Sequence, residues 1–127
     1  MPAEIEAVYF DFDWDKRRVW SLDVPVESID RARLEWHLDL PFWSSRPPEP
    51  LFDLRPRAVL DDPAVHAIHA ERVRTADLRF PMDAMAHGSR LCLLDGMHRL
   101  VRHVQQGHRR VSVRIVPRSM IPHIARQ

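Results

Sequence analysis

The first sixty residues carry hydrophobic patterns that predict a β-hairpin followed by a helix. Apolar and polar residues alternate over residues 8–14, which predicts a strand with one apolar face. Residues 19–24 are the predicted return strand, which ends before Pro25. Apolar positions over residues 28–39 predict a helix that Pro41 stops. Residues 47–50, which include three prolines, predict a stiff, extended connector.

The second half has clearer helix and strand signals. Asp61 or Asp62 is the predicted cap of a helix that has Pro63 at its first position and runs to about residue 75. Gly107 is the predicted left-handed end of a second helix. The remaining elements are strands at 81–86, 91–94 (central in the sheet) and 111–116, the second helix over 96–106, and a last helical turn over 120–125. We therefore expect one α/β domain with a mixed sheet, in which residues 1–60 form an N-terminal hairpin and helix layer and residues 61–127 form the core.

Composition limits the function classes. The chain has 127 residues, of which 45% are hydrophobic and 29% charged, as in an ordinary globular domain. The single cysteine, Cys92, excludes an internal disulfide and makes the cytoplasm the default compartment. Only three glycines are present, and none begins a phosphate loop of the GxxxxGK type. No apolar run approaches the roughly 20 residues of a membrane helix, so no membrane partner is expected.

Charge is distributed unevenly along the chain. Residues 1–95 carry all 18 acidic residues against 12 basic ones, whereas residues 96–127 carry seven arginines and no acid. An acid-free segment favours a surface that faces phosphate, a nucleotide or nucleic acid. The alternative is that these arginines are solvated or pair with acids of the first part.

The most informative segment is Leu91-Cys-Leu-Leu-Asp-Gly-Met-His-Arg-Leu100, a predicted strand that runs directly into a helix. Gly96 allows a sharp turn, and the free N–H groups of the helix start attract an anion. Arg99 can bind phosphate with two hydrogen bonds, and His98 can donate a hydrogen bond or a proton. Asp95 is either the helix cap or the ligand of a divalent metal that bridges to the phosphate.

The segment Leu94-Asp-Gly-Met-His-Arg-Leu100, followed by Gly107 and Val111-Ser-Val-Arg-Ile-Val116, resembles the ParB/sulfiredoxin-like superfamily over about residues 65–117. The resemblance implies a nucleotide site (ATP, ADP or CTP, with Mg²⁺ as a further component) at Gly96, Met97, His98 and Arg99. It also implies Asp95 and His98 as candidate catalytic residues and Asp95 as the metal ligand. Superfamily activities include CTP hydrolysis, sulfinic acid repair, phosphorylation of free serine and nuclease activity.

One departure from the superfamily narrows these activities. Sulfiredoxins have a nucleophilic cysteine in this turn, and this chain has Met97 there. Cys92 lies in an apolar strand, which raises the pKa of a thiol and makes it unreactive. Sulfinic acid reduction is therefore not expected. If the chain is an enzyme, we expect a phosphotransferase or a nucleotide or phosphodiester hydrolase.

Weaker candidates remain beside this turn. His66 and His69, with His98, His103 or His108, could hold zinc, but a third ligand at diagnostic spacing is missing. The three aspartates Asp11, Asp13 and Asp15 could bind a divalent cation or form a solvated strand face. Aromatic residues of the N-terminal part could cover the core or form a wall for ligand stacking; they are Trp20, Trp36, Phe42, Trp43 and Phe52. Charged residues on and just after the helix that begins at Pro63, namely Glu71, Arg72, Arg74 and Asp77, could reach the turn or stay on the surface.

The sequence thus predicts a cytoplasmic domain that binds a nucleotide or phosphate, with phosphoryl transfer or hydrolysis as a further expectation. The alternative is a non-catalytic module that binds nucleic acid or a protein through its basic C-terminal part. A homodimeric accessory protein, with the tryptophan-rich layer as its interface, is the third reading.

Overall fold

A computed structural model describes residues 1–126 and shows a mixed α/β fold built on one four-stranded sheet. The strands are β1 (Val26–Asp30), β2 (Met82–His87), β3 (Arg90–Asp95) and β4 (Arg110–Ile115), in the order β1-β4-β2-β3. β1 pairs with β4 and β2 with β3 in antiparallel fashion, whereas β2 and β4 are parallel. The sheet is therefore mixed.

Six short helices surround the sheet. They are α1 (Ala3–Glu6), α2 (Lys16–Trp20), α3 (Pro56–Asp61), α4 (Ala67–Arg74), α5 (Met97–Gln105) and α6 (Ile121–Ile124). Three 3-10 helices add to them at Arg31–Arg33, Glu35–Asp39 and Arg118–Met120. Helix α5 connects β3 to β4 and packs against α3 and α4. None of the helices in residues 1–126 has the length and apolar character that a membrane span requires.

Both faces of the sheet are buried. One face carries Ala84, Leu93 and Val113 and packs with Leu100 and Val101 of α5. The opposite face carries Met85, Cys92 and Leu94 and packs with residues near the two chain ends, such as Phe10 and Ile124. This arrangement explains why Leu91–Leu94 reads as an unbroken apolar run, because alternate side chains enter two different cores.

β3 is an edge strand, which corrects the prediction that 91–94 is central. Its outer edge is covered by side chains from the first forty residues. His37 Nε2 accepts a hydrogen bond from the backbone N–H of Leu93 at 3.0 Å, and the Tyr9 hydroxyl donates to the Leu93 carbonyl. Trp36 Nε1 donates to the Leu91 carbonyl at 3.2 Å and Trp14 Nε1 to the Leu94 carbonyl at 2.9 Å. Side chains thus satisfy the strand where a neighbouring strand would do so.

The predicted N-terminal hairpin is wrong. Residues 8–14 form turns with a single β-bridge between Trp14 and Ala125, and residues 16–20 form α2 instead of entering a return strand. The alternating aromatic side chains pack on the sheet and on one another without strand pairing. The first true strand, β1, begins after Pro25 and pairs with β4.

The helix predicted at 28–39 is also wrong in its first part. Residues 28–30 belong to β1, and Asp30 then caps the first 3-10 helix by accepting from the Ala32 N–H at 3.0 Å. The helix expected from Pro63 begins at Ala67 and is preceded by turns, and α3 was not predicted. The proline-rich stretch is a closed loop because Ser45 binds Asp53 through both its N–H and its hydroxyl, at 2.8 and 2.6 Å.

Predictions for the last third agree with the structure. Strands β2, β3 and β4, helix α5 and the short C-terminal helix occupy the expected places. Gly107 has a positive φ of 72° directly after α5.

Candidate functional site

The turn between β3 and α5 depends on Gly96. Its φ of 113° is a conformation that side chains other than glycine rarely adopt. A Cβ atom at this position would lie 2.7 Å from Cγ of Met82 and 3.3 Å from a guanidinium nitrogen of Arg99. The chain therefore passes directly over β2 before α5 begins, as the sequence predicted for a sharp turn.

The amino end of α5 has no side-chain cap. The first intrahelical hydrogen bond runs from the Leu100 N–H to the Gly96 carbonyl at 2.9 Å, so the N–H groups of Met97, His98 and Arg99 precede it. Asp95 does not cap them, which removes one of the two roles that the sequence left open for it. The N–H groups at this helix end can donate hydrogen bonds to a ligand's anionic oxygens.

Asp95 instead holds side chains from α2. Trp20 Nε1 donates to Oδ2 of Asp95 at 2.7 Å, and Lys16 Nζ lies 3.3 Å from Oδ1. The carboxylate is 11% exposed, whereas the Lys16 side chain is 57% exposed. The only lysine of the chain is therefore placed at the turn, where its charge offsets that of Asp95.

The Arg99 side chain lies beside Pro81 and Asp95. Its NH1 donates to the Pro81 carbonyl at 3.2 Å and lies 4.0 Å from Oδ2 of Asp95. It lines a cleft of about 510 Å³ together with the exposed rings of Trp20 and Phe80. The Pro81 carbonyl engages NH1, so the predicted phosphate contact from Arg99 would use the other donors of this guanidinium.

His98 belongs to a stacked aromatic cluster that the sequence did not predict. Its ring stacks on Trp43 with centroids 4.3 Å apart, and the ring of His69 stacks on the same indole at 4.5 Å. Nδ1 of His69 and Nε2 of His98 are 3.1 Å apart, and the two imidazoles are nearly coplanar at 16°. Burial and the neighbouring His69 lower the pKa of His98 to about 4. The imidazole is neutral at pH 7, so it has no imidazolium proton to donate as a general acid.

Two clefts are lined by Trp43 of this cluster. The larger, about 770 Å³, is lined by Gly96 and Met97 at the start of α5, by Lys16, and by aromatic residues that include Tyr9 and Trp14. The smaller, about 360 Å³, lies beneath the proline-rich loop and is lined by His69, Arg72 and His98. The lining residues common to both clefts are Phe42, Trp43 and Phe52.

The aromatic residues expected as a group have separate roles. Trp43 is buried in the core, and Trp36 and Phe42 are partly buried against it. Trp20 and Phe52 are exposed beside clefts, so the aromatic residues both cover the core and line concave surfaces.

No group of three or more His, Cys, Asp or Glu side chains in residues 1–126 is placed to hold a metal ion. His69 pairs with His98, and His103 pairs with His108 through their Nδ1 atoms at 3.0 Å. Asp15 caps α2, while Asp11 and Asp13 line the larger cleft. A Mg²⁺ ion at Asp95 would therefore need most of its ligands from a bound nucleotide and water.

The remaining charged candidates and Cys92 stay outside these clefts, with the exception of Arg72. Glu71 pairs with Arg74 at 2.5 Å, and Asp77 pairs with Arg79 at 2.7 Å. Cys92 is fully buried, and desolvation raises the pKa of its thiol to about 11. This agrees with the expectation of an unreactive thiol.

Most C-terminal arginines are engaged with the fold. Arg114 pairs with the buried Asp83 at 2.7 Å, and Arg102 donates to the carbonyls of Arg74 and Ala76. Arg110 and Arg118 also donate to backbone carbonyls. The acid-free composition of this segment therefore reflects structural hydrogen bonding at several positions rather than one continuous basic face.

Sequence reasoning missed Lys16, Trp20, His69 and Trp43 as neighbours of the turn. The predicted hairpin places Lys16 in a turn and Trp20 in a strand. The structure places both on α2, four residues apart, where both contact Asp95. The sequence brings His69 and His98 together only as candidate zinc ligands, whereas the structure pairs them with each other by a hydrogen bond. The one sequence signal for Lys16 is that it is the single lysine of the chain.

Comparisons of the chain with family models, with curated proteins and with solved structures give no match. The resemblance to the ParB/sulfiredoxin-like superfamily therefore stays a prediction from the residues of the turn.

Proposed function

We propose that this chain binds a phosphate-bearing small molecule, in particular a nucleotide, at the amino end of α5. The observation that carries the proposal is the uncapped start of α5, whose Gly96 and Met97 line an aromatic-walled cleft of about 770 Å³. Free N–H groups at a helix start bind phosphate oxygens, and aromatic walls suit a planar base. The exposed ammonium of Lys16 stands at the same cleft and supplies the positive charge.

The carboxylates around the cleft explain how Mg²⁺ enters this proposal. Glu6, Asp11 and Asp13 line the same space as Asp95, and a polyphosphate would be repelled by them without a cation. A nucleotide–Mg²⁺ complex reduces that repulsion, and Asp95 would then exchange Lys16 for the cation. We therefore expect nucleotide binding to be stronger with Mg²⁺ than without it.

A thermal-shift panel tests the proposal with ATP, ADP, CTP and inorganic phosphate, each with and without Mg²⁺. A ligand at 100 times its Kd stabilises the folded state by about 2.7 kcal/mol, which gives a measurable rise in Tm. Absence of any shift in a folded protein would contradict the proposal. Product analysis of the same mixtures tests whether phosphoryl transfer or hydrolysis accompanies binding.

Lys16→Met locates the ligand. We expect about a tenfold loss of affinity, since a charge-assisted hydrogen bond to phosphate contributes about 1.5–3 kcal/mol when shielded and less when exposed. Arg17→Met is the matched control, because it removes the same charge from the next residue of α2, which does not line the cleft. Equal losses in both variants would indicate general electrostatics instead of binding at this cleft.

A further inference from the structure

The carbonyl of Ser44 fixes the protonation pattern of the His69–His98 pair. A carbonyl can only accept, so Nε2 of His69, which lies 2.7 Å from it, carries the hydrogen. Nδ1 of neutral His69 is then an acceptor, and Nε2 of His98 must donate to it across 3.1 Å. Neutral His98 therefore has its hydrogen on Nε2 and an unshared pair on Nδ1.

This Nδ1 atom is not completely buried. Within residues 1–126, every buried side-chain nitrogen or oxygen has a hydrogen-bond partner. The hydrogen bond of the His98 ring is made through Nε2, so an unbonded Nδ1 is not buried. Since His98 lines the smaller cleft, a molecule in the clefts can reach this acceptor.

The surroundings keep the imidazole in its accepting form. Arg72 lines the same cleft, and Lys16 lies near enough for its charge to oppose protonation of His98. Stacking on Trp43 shields the ring from water, and the hydrogen bond to His69 holds it in one orientation. Asp95 favours the protonated form, and desolvation outweighs it. An oriented acceptor of this kind needs a hydrogen-bond donor from the ligand.

We propose that the ligand held at the amino end of α5 also carries a hydroxyl group, which donates its hydrogen to Nδ1 of His98. His69 is the positioning residue that keeps Nδ1 free of a proton. The inference rests on the proposed phosphate site and narrows its ligands to hydroxylated phosphate esters, such as sugar or polyol phosphates and nucleotides. His98 is the second residue of α5, so its ring belongs to the same helix end as the proposed phosphate site.

The ligand-free protein provides the first test. Long-range ¹H–¹⁵N NMR spectra at pH 7 report which ring nitrogen of each histidine carries hydrogen. We expect the Nε2–H tautomer for both His69 and His98. A hydrogen on Nδ1 of His98, or an imidazolium there, would overturn the inference without affecting the proposed phosphate site.

The second test compares ethyl phosphate with 2-hydroxyethyl phosphate, which differ by one hydroxyl. Amide shifts at the start of α5 measure the Kd of each. We expect the hydroxylated ester to bind about 2–12 times more tightly, because a net hydrogen bond contributes about 0.5–1.5 kcal/mol. Equal binding of both overturns the inference and leaves the phosphate site intact. No shift at α5 with either ester, or with ADP and Mg²⁺, overturns both.

Variants separate positioning from folding. His98→Phe should abolish the preference for the hydroxylated ester, measured as the ratio of the two Kd values in the same variant. His69→Leu should weaken the preference, and His69→Gln should restore it, because the glutamine amide can donate to Ser44 and accept from His98. His103→Gln is the matched control, since His103 lies further along α5 and pairs with His108, which follows the helix. A preference that survives in His98→Phe would contradict the inference.

Discussion

At the residue scale, two glycines share a positive φ but differ in the space that surrounds them. Gly88, in the β2–β3 turn, has φ +59° and no atom within 4 Å of an added Cβ. Gly96 has φ +113°, and an added Cβ would lie 2.7 Å from the buried Met82 side chain. A side chain at Gly96 would therefore introduce both backbone strain and a steric clash at the candidate site.

Gly96→Ala should therefore destabilise the fold by about 2–4 kcal/mol, the sum of left-handed strain and overpacking. The matched variant Gly88→Ala should lose only the strain component of about 1–2 kcal/mol. Urea unfolding followed by circular dichroism measures both free energies. Equal losses would show that Met82 moves aside without cost.

The buried ion pair of Asp83 and Arg114 offers a second residue-scale prediction. Arg114 donates to Asp83 and to the carbonyls of Val19 and Leu22, so it joins β4, β2 and the end of α2. Arg114→Met should cost about 3–5 kcal/mol, because it leaves the Asp83 carboxylate buried without its partner. Arg110→Met, at the exposed first position of the same strand, should cost less than about 1 kcal/mol. A small loss for Arg114→Met would indicate that Asp83 becomes neutral without penalty.

At the element scale, the covered edge of β3 distinguishes this sheet from one with an open edge strand. His37 accepts the hydrogen of the Leu93 N–H and in turn lies 2.7 Å from the Leu34 carbonyl through Nδ1. Both ring nitrogens are used, so the neutral imidazole completes the hydrogen bonding of an otherwise unpaired strand. A buried N–H that loses its partner costs about 1–3 kcal/mol.

We expect the Leu93 amide to exchange with solvent about as slowly as that of Val113 in the central strand β4. In His37→Leu, the protection of Leu93 should fall at least tenfold relative to Val113, because the hydrogen-bond acceptor is gone. Native-state hydrogen exchange by NMR gives both rates. Fast exchange at Leu93 in the wild-type protein would contradict a role for His37 as the strand's partner.

The same element explains which parts of the fold the sequence could predict. β3, its turn and α5 follow from an apolar run, Gly96 and helical spacing over residues 97–104, all of which are local signals. The alternation over residues 8–14 arises from side chains that pack against distant strands, and local patterning cannot distinguish this from strand formation. Helix α2 is only five residues long, too short for a helical period to emerge.

Only the contiguous part of the candidate site was predictable from the sequence. Residues 95–99 were found because they are contiguous, and the free helix end follows from local geometry. The cluster of Trp43, His69 and His98 joins a loop, α4 and α5, so only the tertiary structure brings it together. Arg99 was placed on the correct helix, but the carbonyl of Pro81 that it binds could not be foreseen.

At the scale of the whole molecule, buried histidines make the fold sensitive to mild acid. Burial lowers the pKa of His37 to about 4 and that of His98 to about 4, and the pKa values of His69 and His103 are also lowered. Below pH 6.5 the unfolded chain gains protons that the folded chain does not take up, so stability falls until the folded pKa is reached. Burial raises the pKa of Asp83, so the folded state takes up this proton more readily than the unfolded chain. This group therefore increases stability as the pH falls further.

Lowering the pH from 7 to 5 should therefore reduce the free energy of unfolding by about 2 kcal/mol for His37 and a similar amount for His98. Urea titrations at the two pH values measure this change. His37→Gln should reduce the difference in the free energy of unfolding between pH 7 and pH 5, whatever its effect on stability at pH 7. An identical pH dependence in the wild type and this variant would contradict a neutral, buried His37.

The side chains that cover β3 also determine the order in which the chain can fold. Tyr9 and Trp14 bind carbonyls 84 and 80 residues further along the chain, and Trp36 and His37 bind groups 55 and 56 residues away. During synthesis, the first forty residues therefore have no completed partner until β3 has emerged from the ribosome. Contacts of such sequence separation slow folding because long loops must close first. We therefore expect Tyr9, Trp14, Trp36 and His37 to pack onto β3 late in folding.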